Sequence, residues 1–237
     1  MNILAIDTSA KSASVAILSD EKLVVEFFMN TKTTHSQTLM PMLEKALEFS
    51  NFKIDDIDCF AISAGPGSFT GLRIGIAAIK GLAYALNKPC VSVSTLEALA
   101  YNLISIDGVI CAAMDARCNQ VYTATFSGND NQILRLTDDQ AIKIDDLGQQ
   151  LKKLNQKVFF VGDGASLCFK KLSTEIDCRL ANETRLFERA SSVAFVALEK
   201  IKRNETISAD DLMPIYLRLP QAQRELEAKN TAAQSGL

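Results

Sequence analysis

The chain has 237 residues, 48% hydrophobic and 22% charged, and its 25 basic and 28 acidic side chains leave a net charge of −3. This composition excludes disorder over most of the length, and 11 glycines with 5 prolines exclude a collagen-like chain. It also lacks the basic excess of a free-standing nucleic-acid binder, which leaves RNA contact to a local patch or a partner.

At ~150 residues per domain, the length predicts one large domain or two small ones. Ile3-Leu4-Ala5-Ile6-Asp7 reads as a buried strand ending at an acid. With no basic start and no extended apolar stretch, it is not expected to be a signal peptide. The longest apolar runs are far below the ~18 residues of a membrane span, so no membrane partner is expected. Asp7 to Ser12 is a polar turn, Ser14 to Leu18 a second strand, Ser19-Asp20-Glu21-Lys22 a turn, and Leu23 to Met29 a third strand. Together they predict an antiparallel meander. Ser36 to Phe49 carries apolar residues at helical spacing, with Thr34 or Ser36 as cap and Pro41 suited only to the first turns. Ile57 to Ser63 predicts a strand, followed by the glycine-rich run from Ala64 to Gly71 and a long helix to about Asn87. Cys90 to Ser94 is a strand and Thr95 to Leu103 a short helix.

The same order then recurs. Val109 to Asp115, Gln120 to Ser127 and a weak Ile133 to Leu136 predict three strands. Ile144 to Leu154 is helical, and Val158 to Val161 is a strand ending in Gly162-Asp163-Gly164. Ala165 to Leu172 is helical, Asp177 to Leu180 a short strand, and Ser191 to Arg203 a helix. The chain therefore reads as β-β-β-α-β-α-β-α twice. Ala5-Ile6-Asp7-Thr8 matches Ala113-Met114-Asp115-Ala116, and Gly65-Pro66-Gly67 matches Gly162-Asp163-Gly164. Each half is expected to be a mixed sheet with helices on both faces. The expected division is a first lobe over 1–104 and a smaller second lobe over 105–220, its final helix a candidate to return to the first. A polar tail covers 221–237.

Several features carry chemistry. The six cysteines, at 59, 90, 111, 118, 168 and 178, form no C-x-x-C pair and mostly sit in apolar runs, which predicts buried free thiols in a reducing cytosol. His35 is the single histidine, so mechanisms that need two are excluded for this chain alone. At a helix start, it fits a capping or contact role better than a Ser/His/Asp triad, for which there is no G-x-S-x-G elbow. Gly65-Pro66-Gly67-Ser68 fits a tight turn that lets a helix pack on the sheet, and less well an anion cradle. In the helix that follows, Gly71, Gly75, Ala78, Gly81 and Ala85 form a stripe of small residues. That stripe suits close approach of a second helix, whether the 36–49 helix of the same chain or another subunit. Asp7 and Asp115 end equivalent strands. They could face each other across a cleft around hydrated Mg²⁺ and nucleotide phosphates, or each cap a turn.

Ile6-Asp7-Thr8-Ser9, Gly65 to Gly75, Met114-Asp115-Ala116-Arg117 and Tyr216-Leu217-Arg218 together resemble the TsaB (YeaZ) family, over residues 1 to about 220. The resemblance implies an α/β, two-lobed fold of the actin, sugar-kinase and Hsp70 class. It implies a non-catalytic role in forming N6-threonylcarbamoyladenosine in tRNA, as the partner of a TsaD-type transferase, with a TsaE-type ATPase and tRNA reached through the complex. The transferase carries a His-His-Leu-Glu-Gly-His type segment after its fifth strand. The matching stretch here is Ser94-Thr95-Leu96-Glu97-Ala98-Leu99, with Thr95 and Leu99 where the metal histidines would stand. No catalytic or metal residue is therefore assigned. The implied partner face is the pair of helices 36–49 and 70–87, with His35, Leu39, Met42, Leu43, Gly71, Ile74, Gly75 and Ala78. Alone, the chain is expected to form a homodimer through it. On that reading a bulky residue at Gly75 abolishes the complex and spares the monomer. Asp7, Thr8, Ser9, Gly65, Gly67 and Asp115 form a candidate vestigial nucleotide or phosphate cleft. No cofactor is expected to bind this chain stably; ATP or ADP with Mg²⁺ belongs to the complex. Where relatives follow Asp115-Ala116-Arg117 with a Lys- or Glu-containing segment, this chain has Cys118-Asn119-Gln120. The implied location is the cytoplasm. The competing reading is an independent Mg²⁺-dependent, ATP-using enzyme of the same fold.

Overall fold

A computed structural model of the chain describes residues 1–218. The first sheet contains β1 (Asn2–Asp7), β2 (Ala13–Ser19), β3 (Lys22–Met29), β4 (Cys59–Gly65) and β5 (Cys90–Ser94), in the order β3-β2-β1-β4-β5. The second contains β6 (Gly108–Asp115), β7 (Gln120–Asn129), β8 (Gln132–Arg135), β9 (Gln140–Lys143), β10 (Val158–Val161) and β11 (Cys178–Leu180). Its order is β8-β7-β6-β10-β11, with β9 also paired to β7. Each sheet winds the same way: an antiparallel meander, then two parallel strands beyond the first. The chain is thus α/β in two lobes, built on one strand order used twice, as expected.

The repeat reaches the turns. The β2–β3 hairpin turns through Asp20 and Glu21, and the β7–β8 hairpin through Asp130 and Asn131, all four with positive φ. Two-residue loops of this kind match the twist of the strands they join, and Asp and Asn tolerate the left-handed region. The expected third strand of the second half proves to be two pieces. β9 pairs with Gln120 to Thr123 and β8 with Phe126 to Asn129, so they share one side of β7. The sequence reading missed β9 because the intervening Asp138 and Asp139 look like a loop. Asp139 is in fact held by Arg135 at 2.5 Å and by Ser94 Oγ at 2.6 Å. Two single turns, at Ile54–Asp56 and α6 (Glu183–Leu186), also carried no periodic signal.

The helices are α1 (His35–Ser50), α2 (Phe69–Leu86), α3 (Thr95–Tyr101), α4 (Ile144–Leu154), α5 (Ala165–Leu172), α6 and α7 (Ala190–Lys202). Pro41 lies in the second turn of α1, deeper than its missing N–H predicts. Asn51, Asn87 and Asn155 end α1, α2 and α4 in the left-handed conformation, where asparagine costs less than a branched residue. β1 is buried on both faces, which explains its unbroken apolar run. Leu4 and Ile6 meet α1 and α2, while Ile3 and Ala5 meet α7.

The last helix of each half crosses to the other. α7 packs on β1 and β2 of the first sheet, so the span expected for the second lobe, 105–220, includes an element of the first lobe's core. In return, Leu96, Leu99 and Ala100 of α3 join the core of the second lobe. The N-terminus of α7 is seated by Glu26 of β3. Its Oε1 accepts from Ser191 N at 3.0 Å and Ser191 Oγ at 2.8 Å, and its Oε2 accepts from Arg189 at 2.8 Å. A carboxylate there also complements the helix dipole. After α7 the chain returns along the first lobe, pairing Ile207 with Cys90 and burying Leu212. The expected polar tail, 221–237, lies outside the described residues.

Candidate functional site: an acid-floored cleft and an apolar helix face

The ends of equivalent strands converge between the lobes. In the first lobe Asp7 Oδ1 accepts from Ser9 N at 2.9 Å and Ser9 Oγ at 2.8 Å, and Oδ2 accepts from Ser63 Oγ. Asp7, Thr8 and Ser9 are buried. Burial pushes the Asp7 carboxyl above its ordinary range, opposed by the Ser63 and Ser9 hydrogen bonds. Asp115 repeats the local turn, its Oδ1 accepting from Arg117 N at 2.8 Å, but it is exposed. Arg117, Cys118 and Asn119 all follow with positive φ.

The two glycine turns are also equivalent. Gly65 and Gly162 have φ of +137° and +107°, a region nearly closed to other residues. A Cβ on Gly67 would overlap the backbone of Ser9, and one on Gly164 would meet that of Met114 and Asp115 at 2.7–2.8 Å. Gly67 thus lies on the β1–β2 loop of its lobe, and Gly164 on the end of β6 in the other. The Gly65–Pro66 peptide is cis. Ser68 Oγ caps α2 by accepting from Gly71 N.

A cleft of about 600 Å³ lies between these loops. Ser9, Gly67 and Asp115 line it; Asp7, Thr8 and Gly65 do not, being buried beneath, and Gly65 packs on Ile215 instead. Asp163 and Glu188 also line it, and neither was singled out from the sequence. Asp163 accepts from Asp115 N at 3.0 Å, and burial raises its pKa. Glu188, 1% exposed, accepts from Ser12 Oγ at 2.9 Å through Oε2, while Oε1 has no partner. Burial, reinforced by the charges of Asp163 and Asp7, pushes its pKa up to about 8. An acid two residues ahead of a helix start reads in sequence as exposed; only the crossing of α7 buries it.

The C-terminal segment bridges the rims of this cleft. Ile215 N donates to Ala64 O at 2.7 Å, and Tyr216 stacks on Phe69 with ring centroids 4.6 Å apart. Arg73 Nε donates to Tyr216 Oη at 2.9 Å, and Arg218 donates to Ala116 O and to Gln120 Oε1. Tyr216-Leu217-Arg218 thus ties the first lobe to the β6–β7 loop of the second.

The implied partner residues divide into two groups. Leu39, Met42 and Leu43 are buried in the first lobe's core, and Gly71 and Gly75 are buried against Thr8. A Cβ on Gly71 would overlap Thr8 O, and one on Gly75 would overlap Thr8 Oγ1 and lie 2.9 Å from Ile62 Cδ1. The small residues at the start of α2 therefore admit the β1–β2 loop rather than a partner helix. The expectation that a bulky residue at Gly75 spares the monomer is corrected by that contact. His35, Ile74 and Ala78 are half-buried, and His35 Nε2 lies 2.8 Å from Ala10 O, fastening α1 to the same loop. Farther along, a Cβ on Gly81 would meet nothing within 4 Å. There α2 exposes Tyr84 (71%) and α1 exposes Met40 (49%), while Phe49 (68%) turns toward β3, its ring 6.0 Å from that of Phe27. Between α1 and α2 runs an apolar groove of about 500 Å³, lined by Met40, Pro41, Leu43, Leu47 and Leu82 among others.

Among the described residues α2 alone is long and apolar enough to cross a membrane, with mean hydropathy 1.3. It nevertheless packs Leu72, Ile76, Ile79 and Ala83 into the lobe. Four cysteines are buried, Cys178 is half-buried, and Cys118 is exposed at the tip of the β6–β7 loop. Burial pushes the Cys59 and Cys111 thiols up to about 12.

Comparison with known proteins fits this architecture. A protein-family model described as TsaD, tRNA N6-adenosine threonylcarbamoyltransferase, matches residues 29–226. The Bacillus subtilis tRNA threonylcarbamoyladenosine biosynthesis protein TsaB is 32% identical over 225 residues, 94% of this chain and 96% of that protein. The chain belongs to the TsaB family. The Escherichia coli TsaB is 31% identical over 97% of this chain and all of its own length. A solved Pseudomonas aeruginosa structure, described as similar to peptidase YEAZ, superposes with a TM-score of 0.78 at 25% identity, covering 92% of this chain and 99% of that one. In this TsaB-family chain Thr95 and Leu99 are both buried, and Leu99 lies in the core of the second lobe.

Proposed function

We propose that this chain is a non-catalytic, partner-binding subunit in the formation of N6-threonylcarbamoyladenosine in tRNA. Its outer α1–α2 face docks a TsaD-type transferase. The observation that carries the reading is the apolar groove between α1 and α2, which Met40, Pro41, Leu47 and Leu82 line, with Met40 and, on α2, Tyr84 exposed. A contiguous apolar patch with large exposed side chains is characteristic of a protein-binding surface. The family of the close relatives supports the pathway. The non-catalytic part of the reading rests on Thr95 and Leu99, which offer no pair of imidazoles at the end of β5. On this reading the chain works in the cytoplasm, a TsaE-type ATPase and tRNA meet it through the complex, and the free chain pairs with a second copy through the same face.

The reading also keeps nucleotide out of this chain's own stable ligands. What supports this is the cleft's buried acid, since Glu188 and Asp163 both line it and Glu188 Oε1 has no hydrogen-bond partner. On this reading ATP or ADP with Mg²⁺ enters through the complex.

Light scattering of an equimolar mixture of this chain with a TsaD-type transferase tests the proposal. The expected result is a species of summed mass, lost in a Met40→Asp/Tyr84→Asp variant whose thermal unfolding is unchanged. Modified adenosine in tRNA should then depend on this chain and fall with the same variant. A complex that survives the double substitution rejects the docking face. ATP hydrolysis by the isolated chain rejects the non-catalytic reading.

A further inference from the structure

The cleft holds more acid than its own structure uses. Glu188 sits on the floor with one carboxylate oxygen committed to Ser12 and the other without a partner, although the residue is almost wholly buried. After burial itself, the charge of Asp163, from the second lobe, raises the Glu188 pKa most, and that of Asp7 next. Asp115 stands on the rim, joined to Asp163 through its backbone N–H. The walls are aromatic as well as polar, since Phe69, Tyr122 and Phe187 line the same space. A buried acceptor with no donor is costly, and such groups usually have a partner.

We propose that the cleft between the lobes binds a small organic cation, an ammonium or guanidinium on a short apolar stem. Glu188, Asp163 and Asp115 receive its charge, and Phe69, Tyr122 and Phe187 pack on its stem. Three observations select this chemistry over a bare metal ion. The space, about 600 Å³, is of the size that holds a small molecule. The acids do not converge as a metal cage: Asp163 Oδ1 already accepts from Asp115 N, and Asp115 Oδ1 from Arg117 N. Aromatic faces attract organic cations through the ring quadrupole. Lys11 and Arg117 also line the cleft, and Lys11 draws the Asp163 pKa downward, so these two cations are the built-in competitors for the site.

The empty site keeps a proton on Glu188, whose pKa lies at about 8. A bound cation stabilises the carboxylate and so releases that proton. Affinity should therefore rise with pH, by about fivefold between pH 7 and 8 for one group titrating at about 8. This inference goes beyond the docking function and uses none of the α1–α2 face.

The test is calorimetric titration of the full chain with spermidine, with agmatine, with MgCl₂ and with Mg²⁺-free ATP. Each is run at pH 7 and 8, in two buffers of different ionisation enthalpy. The expected result is saturable binding of an amine with proton release and the stated rise with pH, a readout that needs no variant. Glu188→Gln and Asp163→Asn should each weaken it tenfold or more, and Lys11→Gln should strengthen it. The proposal is overturned if neither amine binds, if binding is indifferent to both acid substitutions, if MgCl₂ alone reproduces the acid-dependent binding, or if ATP occupies the cleft more tightly as pH falls.

Discussion

The two lobes repeat one another strand for strand, yet treat the same acid oppositely. Asp7 and Asp115 both end the first strand of a five-strand winding and both accept from the backbone N–H two residues on. Asp7 is then enclosed by Ser9 and Ser63, under the α1–α2 side of its lobe. Asp115 stays open, and Asp163 occupies the place held in the first lobe by Pro66. Equivalent backbone thus yields a sealed structural acid in one lobe and an accessible acidic wall in the other. The difference comes from what covers each strand end: Ser63 reaches Asp7 from β4, and α2 lays Gly71 and Gly75 on the neighbouring Thr8.

The largest break in that comparison is expected at Gly75. Gly75→Leu should destabilise the first lobe by about 3 kcal/mol or more, because its side chain must displace Thr8 and Ile62. Urea unfolding of the free chain would check this; a stable monomer that has merely lost its partner would restore the small-residue stripe as an interface. Next, Asp7→Ala should cost about 1–3 kcal/mol by stranding the Ser9 and Ser63 donors. Asp115→Ala, at an exposed site, should stay within about 0.5 kcal/mol. Equal losses would show that the two acids are not differently enclosed.

Glu188 adds a pH dependence. In the unfolded chain it loses its proton near its ordinary 4.5, whereas the folded chain keeps it to about 8. Its contribution to stability therefore declines as pH rises between those values, and levels off above about 8. Thermal melts should show this decline in the parent and a flatter profile in Glu188→Gln, which should be the more stable of the two at pH 8. Smaller effects are expected at the edges. Tyr216→Ala should cost about 1 kcal/mol through lost stacking on Phe69 and its contact with Arg73. Gly81→Ala should gain about 0.5–1 kcal/mol, since the added methyl meets open space in a helix.

Much of the fold was legible in the chain. Period-two and period-3.6 apolar patterns located most strands and the long helices, and the paired Asp and glycine turns exposed the duplication. The split of the third strand was not legible, because Asp138-Asp139 looks the same whether it leaves the sheet or only interrupts it. The site was legible in part. Asp115 and Gly67 line the cleft, but Asp7 and Gly65 lie beneath it, and Glu188 gave no sign of burial. Likewise Leu39 and Leu43 share α1 with Met40, and spacing alone did not say which side faced the sheet.

The sequence by itself determined the order of elements, the internal repeat, the family and the lack of an imidazole pair at Thr95 and Leu99. These depend on local pattern and on which atoms a side chain carries. Only the tertiary structure decided which lobe each closing helix covers, that Gly71 and Gly75 serve a loop of their own chain, and that three acids from distant segments meet. Those outcomes depend on long-range packing: α7 must cross to cover the outer face of β1, and in crossing it carries Glu188 into the cleft.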